Sequence, residues 1–434
     1  MPKLPKVLML VQNLPAPADP RVWAEATALR DAGFRVSIIC PKGRTYQEAR
    51  ACIDGIHIYR YWVPTHAGGF KGYCVEYCIS LLMTFWLSLK VLLRQGFDVI
   101  HAANPPDVFF VLGIFYRLLG KKYVFDQHDP TPEMFRAKFK GSSVRIYKLL
   151  LFLESCNYRT SHLVITSNLS QKRFAIDRGH CSPQRVFVVR NGPNLHRTRP
   201  VPPEPELKAG RRYLLAYVGV MGTQDGVENT LYALHHLVHE RGRQDVSLVL
   251  VGDGDCVPPL RALVHALHLE SFVNFAGWAD PEDVPRYLST ADVGLVPDPQ
   301  NGMNEFCTMI KTMEYMATGK PIVAFDLAET RFSAQDAALY AVPNRVEDFA
   351  QKVETLLDDE DARHRMGVIG LRRVEEELGW EHSKEHLLAA YKTLFRTVAM
   401  PSEVAVSRPC PLAESSALVS ESALREPEDF VPLS

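Results

Sequence analysis

At 434 residues the chain has length for two or more domains, and 47 % hydrophobic against 23 % charged residues excludes a globally disordered or low-complexity protein. The formal net charge of −1 hides an asymmetry: residues 1–200 carry 28 Lys and Arg against 13 Asp and Glu, the remainder 21 against 37, so the first half suits an anionic partner such as phosphates, nucleic acid or an acidic membrane surface. Nine cysteines, scattered without a CxxC pair, exclude a small disulfide-stapled scaffold and fit a reducing compartment.

The N-terminal residues run straight into an apolar stretch at 7–11. It is too short for a signal-peptide core and lacks a cleavage site, so it reads as a first strand. Apolar runs at 36–40, 57–63, 99–102, 123–126, 163–166 and 186–189 then alternate with amphipathic stretches, and a second set follows at 213–219, 247–251, 273–276, 293–296, 322–325 and 339–342. Strands alternating with helices predict an α/β fold with parallel sheets buried on both faces. Two such domains are expected, at 1–195 and 213–380, joined by a linker at 196–212 that is stiffened by Pro200, Pro202, Pro203 and Pro205. A helix at 381–399 is expected to return to the first domain, and 400–434, rich in Pro, Ser and Glu, is expected to be disordered.

Nearly every predicted strand ends in a polar or glycine cluster, the edge at which open parallel sheets bind ligands. Two facing sheets of this kind would make one cleft. In the first domain these clusters, with the segments just after them, hold Asn13, Asp19, Arg21, His101, Asn104 and Glu133, a candidate ligand-binding set. Asp19-Pro20 reads as an N-cap and first helical position. Arg21 then sits in the first turn, where a cation wants an anion, either a ligand or Asp19 or Glu25. Asn13 to Ala18 holds no glycine and so is neither a Walker loop nor a dinucleotide fingerprint; in Gly252-Asp-Gly254 the third glycine would fall at Val257, so the dinucleotide reading fails there too. His235, His236 and His239 lack the Glu of a zinc-protease helix and read as an ordinary helix face, and no metal site is expected.

Two segments carry chemistry. Tyr123 to Glu133 places His128 among Asp126, Asp129 and Glu133 at or just past a strand end, where imidazole can hydrogen-bond a substrate hydroxyl or a leaving phosphate near neutral pH. Asn304 to Pro321 predicts a helix with Met309, Met313 and Met316 on an apolar stripe, Lys311, Glu314 and Thr318 on another face, and Gly319 as its cap. A helix N-terminus near Thr308 would offer N–H groups to a phosphate, Lys311 a charge, and Glu314 an acceptor for paired hydroxyls such as ribose. An internal Lys–Glu pair is the structural alternative.

With these segments in view, the chain resembles the family-4 retaining glycosyltransferases of the GT-B fold over roughly residues 5–395. The most specific stretch is Lys311 to Asp326, close to that family's Glu-Tyr-Met-Ala-x-Gly-Lys-Pro pattern. Asp19-Pro-Arg-Val-Trp-Ala-Glu25, His128-Asp-x-x-Pro-Glu133, Arg190-Asn-Gly192 and Gly219 to Gly226 support it. The resemblance implies two facing Rossmann-like domains with an interdomain cleft, a nucleotide-sugar (UDP- or GDP-linked) as substrate, no cofactor or catalytic metal, and retained anomeric configuration. It implies His128, Asp129 and Glu314 as catalytic residues, Glu314 and the loop with Gly219, Met221 and Gly222 as donor-binding, and the first-domain set as lying on the acceptor side; the residues themselves add Thr308, Lys311 and Arg190 to the donor-binding set.

The pattern is broken in two places. Where the motif has an acid eight positions before Glu314 this chain has Phe306, with Glu305 one place off. After the second-domain glycine loop the expected cations are replaced by Thr223-Gln-Asp-Gly-Val-Glu228. Diphosphate is expensive to bury uncompensated, so Lys311, with the helix N-terminus and Arg190, is expected to take that role.

The run 79–93 is apolar nearly all round, interrupted by Lys90, and shorter than the ~20 residues a span needs; it reads as a core or surface-docked helix. With the basic cluster Arg136, Lys138, Lys140, Arg145 and Lys148 it points to a glycan or lipid-linked acceptor and to peripheral contact with an anionic inner-membrane leaflet from the cytoplasm. A sugar-nucleotide epimerase of the same fold and a non-catalytic nucleotide- or glycan-binding scaffold are the alternatives. Nucleic acid is not expected, since no basic stripe interleaves with stacking aromatics.

Overall fold

A computed structural model describes residues 5–43, 45–64, 69–139, 143–280 and 282–395. Lys140, the end of the predicted 381–399 helix and the predicted tail at 400–434 lie outside them. The chain forms two compact units. Of the described residues, one comprises those up to Val189 together with 384–395; the other runs from Arg190 to Ser383, so the division falls before the proline stretch at 196–212.

The first unit is built on an eight-stranded sheet of β1 (Lys6–Leu10), β2 (Arg35–Pro41), β3 (Arg50–Ile53), β4 (Ile56–Tyr61), β5 (Val99–Ala103), β6 (Lys122–Gln127), β7 (Leu163–Thr166) and β8 (Val186–Val188). Its order is β3-β4-β2-β1-β5-β6-β7-β8. All neighbours are parallel except the hairpin β3–β4, the one strand the sequence reading missed. Asp54 and Gly55 both take positive φ, 49° and 77°, which makes the two-residue turn whose backbone twist matches a hairpin. That Asp-Gly pair was the available signal.

The second unit holds β9 (Tyr213–Val218), β10 (Val246–Val251), β11 (Val273–Gly277), β12 (Val293–Val296), β13 (Ile322–Phe325) and β14 (Ala338–Ala341), all parallel, in the order β11-β10-β9-β12-β13-β14. Counted within the unit this is 3-2-1-4-5-6, the doubly wound Rossmann order. Strand alternation splits its core cleanly. Tyr213, Leu215 and Tyr217 of β9 enter the core on one face, Leu214, Ala216 and Val218 that on the other. In both units the order reverses beside the first strand, at β1/β5 and β9/β12, which marks where a ligand crevice should open.

The helix Gly69–Arg94 crosses over from β4 to β5, and its stretch Cys74–Arg94 is long and apolar enough to span a membrane by length and composition. The length argument made from 79–93 therefore does not hold for the observed helix, one side of which packs on the sheet. Ser80, Thr84, Ser88 and Val91 are buried in the layer against the sheet, and Ser88 Oγ meets Tyr116 Oη at 2.8 Å. The helix Trp380–Leu394 brings Tyr391 against Phe34, ring centroids 5.3 Å apart, inside the first unit.

Candidate active site

In the first unit the chain leaves β1 through Gln12 and Asn13, and Asp19 Oδ1 accepts from Val22 N at 3.0 Å to start the helix Pro20–Asp31 as expected of an N-cap. The buried Oδ1 of Asn13 has no hydrogen bond among the described residues. Arg21 in the first turn faces inward. Its Nη2 donates to Asp126 Oδ1 at 2.8 Å and lies 3.1 Å from Glu25 Oε1, while Nη1 donates to Val189 O at 2.8 Å. His101 on β5 sits with Nε2 3.3 Å from carboxylate oxygens of both Glu25 and Asp126, and Nδ1 2.8 Å from Tyr391 Oη. His128, just past β6, directs Nε2 to Asp126 Oδ2 at 2.6 Å.

This is a fully interior charge cluster, and its two acids divide the labour. Burial alone would raise the Asp126 carboxyl, but Arg21, His128 and the hydrogen bond from His101 hold it well below the usual range. Burial and the neighbouring Asp126 push the Glu25 carboxyl well above its ordinary value, against the pull of Arg21. Glu25, His101 and Asp126 offer atoms within 4.8 Å of one another, a spacing that suits a cation, but the Arg21 guanidinium already supplies the positive charge there.

Asn104 fixes the other side of His128. Its Oδ1 accepts from the His128 amide at 2.7 Å, and its Nδ2 donates to Asp129 O at 2.9 Å and Asp107 Oδ1 at 3.0 Å. Burial raises the Asp129 carboxyl, opposed by His128 and Arg21. Glu133 accepts from Arg178 at 2.7 Å, and the same guanidinium holds Glu154 at 2.7 Å. Of the expected acceptor-side residues, then, Asp19, Arg21, His101, Asn104 and Glu133 are held in the unit's own interior contacts. Arg21 and His101 act on His128 through Asp126 and Asn104 holds its loop, while Asp19 caps its own helix and Glu133 pairs with Arg178, because desolvated charges must find partners inside the fold. Asp126 was quoted in the sequence without a role; its spacing of two from His128 at a strand end was the signal.

In the second unit the glycine loop follows β9. Gly219 (φ 140°) donates to Val251 O, Met221 N to Asp253 O at 2.9 Å, and Gly222 N to Asp225 Oδ2 at 3.0 Å. These three amides are therefore engaged internally, and Met221 is a core residue. Gly252-Asp-Gly254 is explained by the same packing: a Cβ on Gly252 would lie 1.9 Å from Gly219 O, and one on Gly254 2.6 Å from Met221 O.

The helix Ile310–Ala317 begins after Met309 as its N-cap, so Thr308 precedes it and the first free amides belong to Ile310 and Lys311. Its apolar stripe packs as expected, with Met313 and Met316 buried. Gly319 (φ 68°) ends it, with Gly319 N donating to Met316 O and Lys320 N to Tyr315 O. Tyr315 ties the helix to the sheet, donating to Leu295 O and accepting from Val218 N at 3.0 Å. Phe306 lies in the short 3₁₀ turn Asn304–Phe306, and Glu305 there accepts from Gln300; neither stands on the helix.

Lys311 is not an open cation. Its Nζ donates to both oxygens of Asp298 at 2.9 and 3.0 Å, beside the Tyr217 ring. Burial opposes its charge, but Asp298 and Asp225 outweigh it and raise the ammonium above its ordinary value. Burial pushes the Asp225 carboxyl up to about 6. Arg190 is likewise occupied by Glu329 at 3.4 Å and by the Phe332 ring. Glu314 differs: it is partly exposed and makes no side-chain hydrogen bond among the described residues, and burial raises it to about 6 against the pull of Lys311. The second unit thus has, among these residues, one acid without a side-chain partner and one cation held by neighbouring carboxylates, and the Asp298 and Asp225 partners of that cation went unrecognised in the sequence.

Comparison with known proteins gives a consistent account. Residues 18–192 match the glycosyl transferase 4-like domain and residues 212–359 the glycosyl transferases group 1 domain. The chain is 31 % identical over 157 residues to the alpha-D-kanosaminyltransferase of Streptomyces kanamyceticus, covering 36 % of this chain and 39 % of that protein. It is 24 % identical over 250 residues to the UDP-Gal:alpha-D-GlcNAc-diphosphoundecaprenol alpha-1,3-galactosyltransferase of Escherichia coli, covering 55 % and 60 %. These matches span less than two thirds of the curated relatives' lengths. Among solved structures, sucrose-phosphate synthase from Thermosynechococcus elongatus superimposes with a TM-score of 0.73 at 17 % identity over 91 % of this chain and 100 % of that one. Anabaena HepE in complex with UDP-glucose does so at 0.64 and 15 % over 89 % and 99 %. With a glycosyl transferase domain matched in each half and a doubly wound sheet in each unit, the chain belongs to the GT-B glycosyltransferases.

Proposed function

We propose that the chain is a retaining, metal-independent glycosyltransferase that moves a sugar from a UDP- or GDP-linked donor to a glycan or lipid-linked acceptor, in surface or exopolysaccharide synthesis on the cytoplasmic side. The observation that carries the donor reading is the unpartnered Glu314 carboxylate in a unit whose other site acids, Asp225 and Asp298, are already engaged. A carboxylate so placed accepts from the paired hydroxyls of a ribose. The relatives support the substrate class: one is named for UDP-Gal and a diphosphoundecaprenol-linked sugar, and a structural neighbour holds UDP-glucose. In the proposed reaction the acceptor hydroxyl attacks the anomeric carbon from the side the diphosphate leaves. The carbon–oxygen bond to phosphate breaks as the glycosidic bond forms, and the hydroxyl proton passes to the leaving phosphate. His128 hydrogen-bonds a donor-sugar hydroxyl, with Asp126 orienting its ring. Lys311, relayed through Asp298, sets the electrostatics at the diphosphate end.

At a hundred times its dissociation constant, the correct nucleoside diphosphate should stabilise the protein by about 2.7 kcal/mol in a thermal or denaturant melt, and Glu314→Ala should erase that response. Because the ionised form of Glu314 is the acceptor and its pKa lies near 6, affinity should weaken about tenfold between about pH 7 and pH 5. Glu314→Gln should remove this dependence relative to wild type. A full thermal response in Glu314→Ala for every nucleotide would refute the donor assignment.

A further inference from the structure

Three helices of the first unit, Gly69–Arg94, Phe110–Leu118 and Val144–Thr160, form one continuous layer on a single face of its sheet. Phe85 and Phe115 meet edge to face at 5.2 Å, and a Cβ on Gly113 would lie 3.1 Å from Thr160 Cγ2, so neighbouring helices touch directly. The inward sides of these helices fill the core. Their outward sides do not follow the usual polar pattern of a surface helix. Leu82 is 69 % exposed, Trp86 56 %, Leu93 85 %, Leu118 83 % and Phe152 61 %. Leu82, Trp86 and Leu93 recur at helical spacing along one stripe, and Phe152 continues the apolar surface on the third helix.

The charges on this layer have one sign. Lys90, which lies over the Trp86 ring at 4.8 Å, joins Arg94, Arg145, Lys148 and Arg159 on the outer side. The only acids in the three helices, Glu76 and Glu154, are turned inward to Gln12 and to Gln127 and Arg178. An exposed apolar surface of this extent marks an interaction site. Interleaved cations without exposed acids select an anionic, apolar partner over a protein surface of mixed charge.

We infer that this three-helix face is a monotopic docking surface for an anionic lipid bilayer, with Leu82, Trp86, Leu93 and Phe152 entering the headgroup–acyl boundary and Lys90, Arg94, Arg145 and Lys148 pairing with lipid phosphates. The Gly69–Arg94 helix lies along the membrane and does not cross it, because its other side is a layer of the sheet sandwich. The inference is independent of the donor reading, since lipid binding requires no turnover.

The test is co-flotation of the full chain with phosphatidylcholine vesicles and with equimolar phosphatidylcholine–phosphatidylglycerol vesicles, at low and high salt. Binding to the anionic vesicles is expected, weakening with salt. Arg145→Gln and Lys148→Gln should each reduce the partition coefficient about fivefold. Leu82→Ser with Trp86→Ser should reduce it about thirtyfold. All are surface changes, and an unaltered unfolding midpoint confirms that the fold is kept. Absence of binding, equal binding to both vesicles, or variants that bind like wild type would overturn the inference. So would sedimentation showing that the apolar variants dissociate a dimer that does not float, which would assign the face to a second copy of the chain.

Discussion

His128→Ala is expected to lower turnover by about 10²- to 10⁴-fold while leaving the nucleotide-induced thermal shift intact. The geometry behind this is one-sided. Nε2 faces the ionised Asp126 at 2.6 Å and carries the proton there, so Nδ1, which makes no hydrogen bond among the described residues, is the nitrogen open to a substrate hydroxyl. Asn104 clamps the loop through the His128 amide, so removing the ring leaves the backbone in place. Asp126→Asn should reduce turnover by roughly tenfold or more, matching the ~1.5–3 kcal/mol that a hydrogen bond to a charged group contributes. The reading separates His128 from a donor-binding residue: Michaelis constants for the donor should change little in His128→Ala, whereas Glu314→Ala should raise them. Wild-type turnover in His128→Ala would remove the residue from the site.

The sheet was legible because its strands are apolar runs buried on both faces, which leave an unmistakable pattern, and because glycine and proline punctuate their ends. The hairpin strand Arg50–Ile53 escaped because only part of it is apolar and it pairs at an edge. The sites were legible at the level of which segment matters, since chemistry-bearing residues cluster where strands end. Partners were harder. Lys311 reads as a phosphate ligand on its helix, but its neutralising Asp298 stands thirteen residues away, after another strand. Arg21 and Asp126 are separated by 105 residues and meet only because β1 and β6 flank β5 in the sheet. Sequence spacing sees one helix face or one strand edge; charge neutralisation across the sheet depends on topology, which spacing does not encode.

The same cluster predicts a non-additive stability pattern. Arg21 is buried between Glu25 and Asp126, whose carboxyls the fold pushes in opposite directions, Glu25 up and Asp126 down. If Asp126 becomes Asn, Glu25 loses the neighbouring charge that raised it, ionises, and stays paired with Arg21 at 3.1 Å. If Glu25 becomes Gln, Asp126 keeps its charge and its 2.8 Å contact. Either single change should therefore cost only about 1–2 kcal/mol at neutral pH, the worth of altered hydrogen bonds. The double change leaves a buried guanidinium with no anion from these two residues, a loss of about 3–5 kcal/mol for the broken pair in addition. The coupling should thus reach about 2 kcal/mol or more in a double-mutant cycle read by urea unfolding. The pH signs follow. Asp126, depressed in the fold, contributes stability that is present above its unfolded pKa near 4 and is lost as pH falls through the lower folded value. Glu25, raised in the fold, contributes stability present below its unfolded pKa and lost as pH rises through the folded value. Glu25→Gln should therefore abolish the alkaline loss and retain the acid one, and Asp126→Asn should weaken the acid limb. Additivity of the two substitutions within about 0.5 kcal/mol would show that the carboxylates do not share the duty of neutralising Arg21.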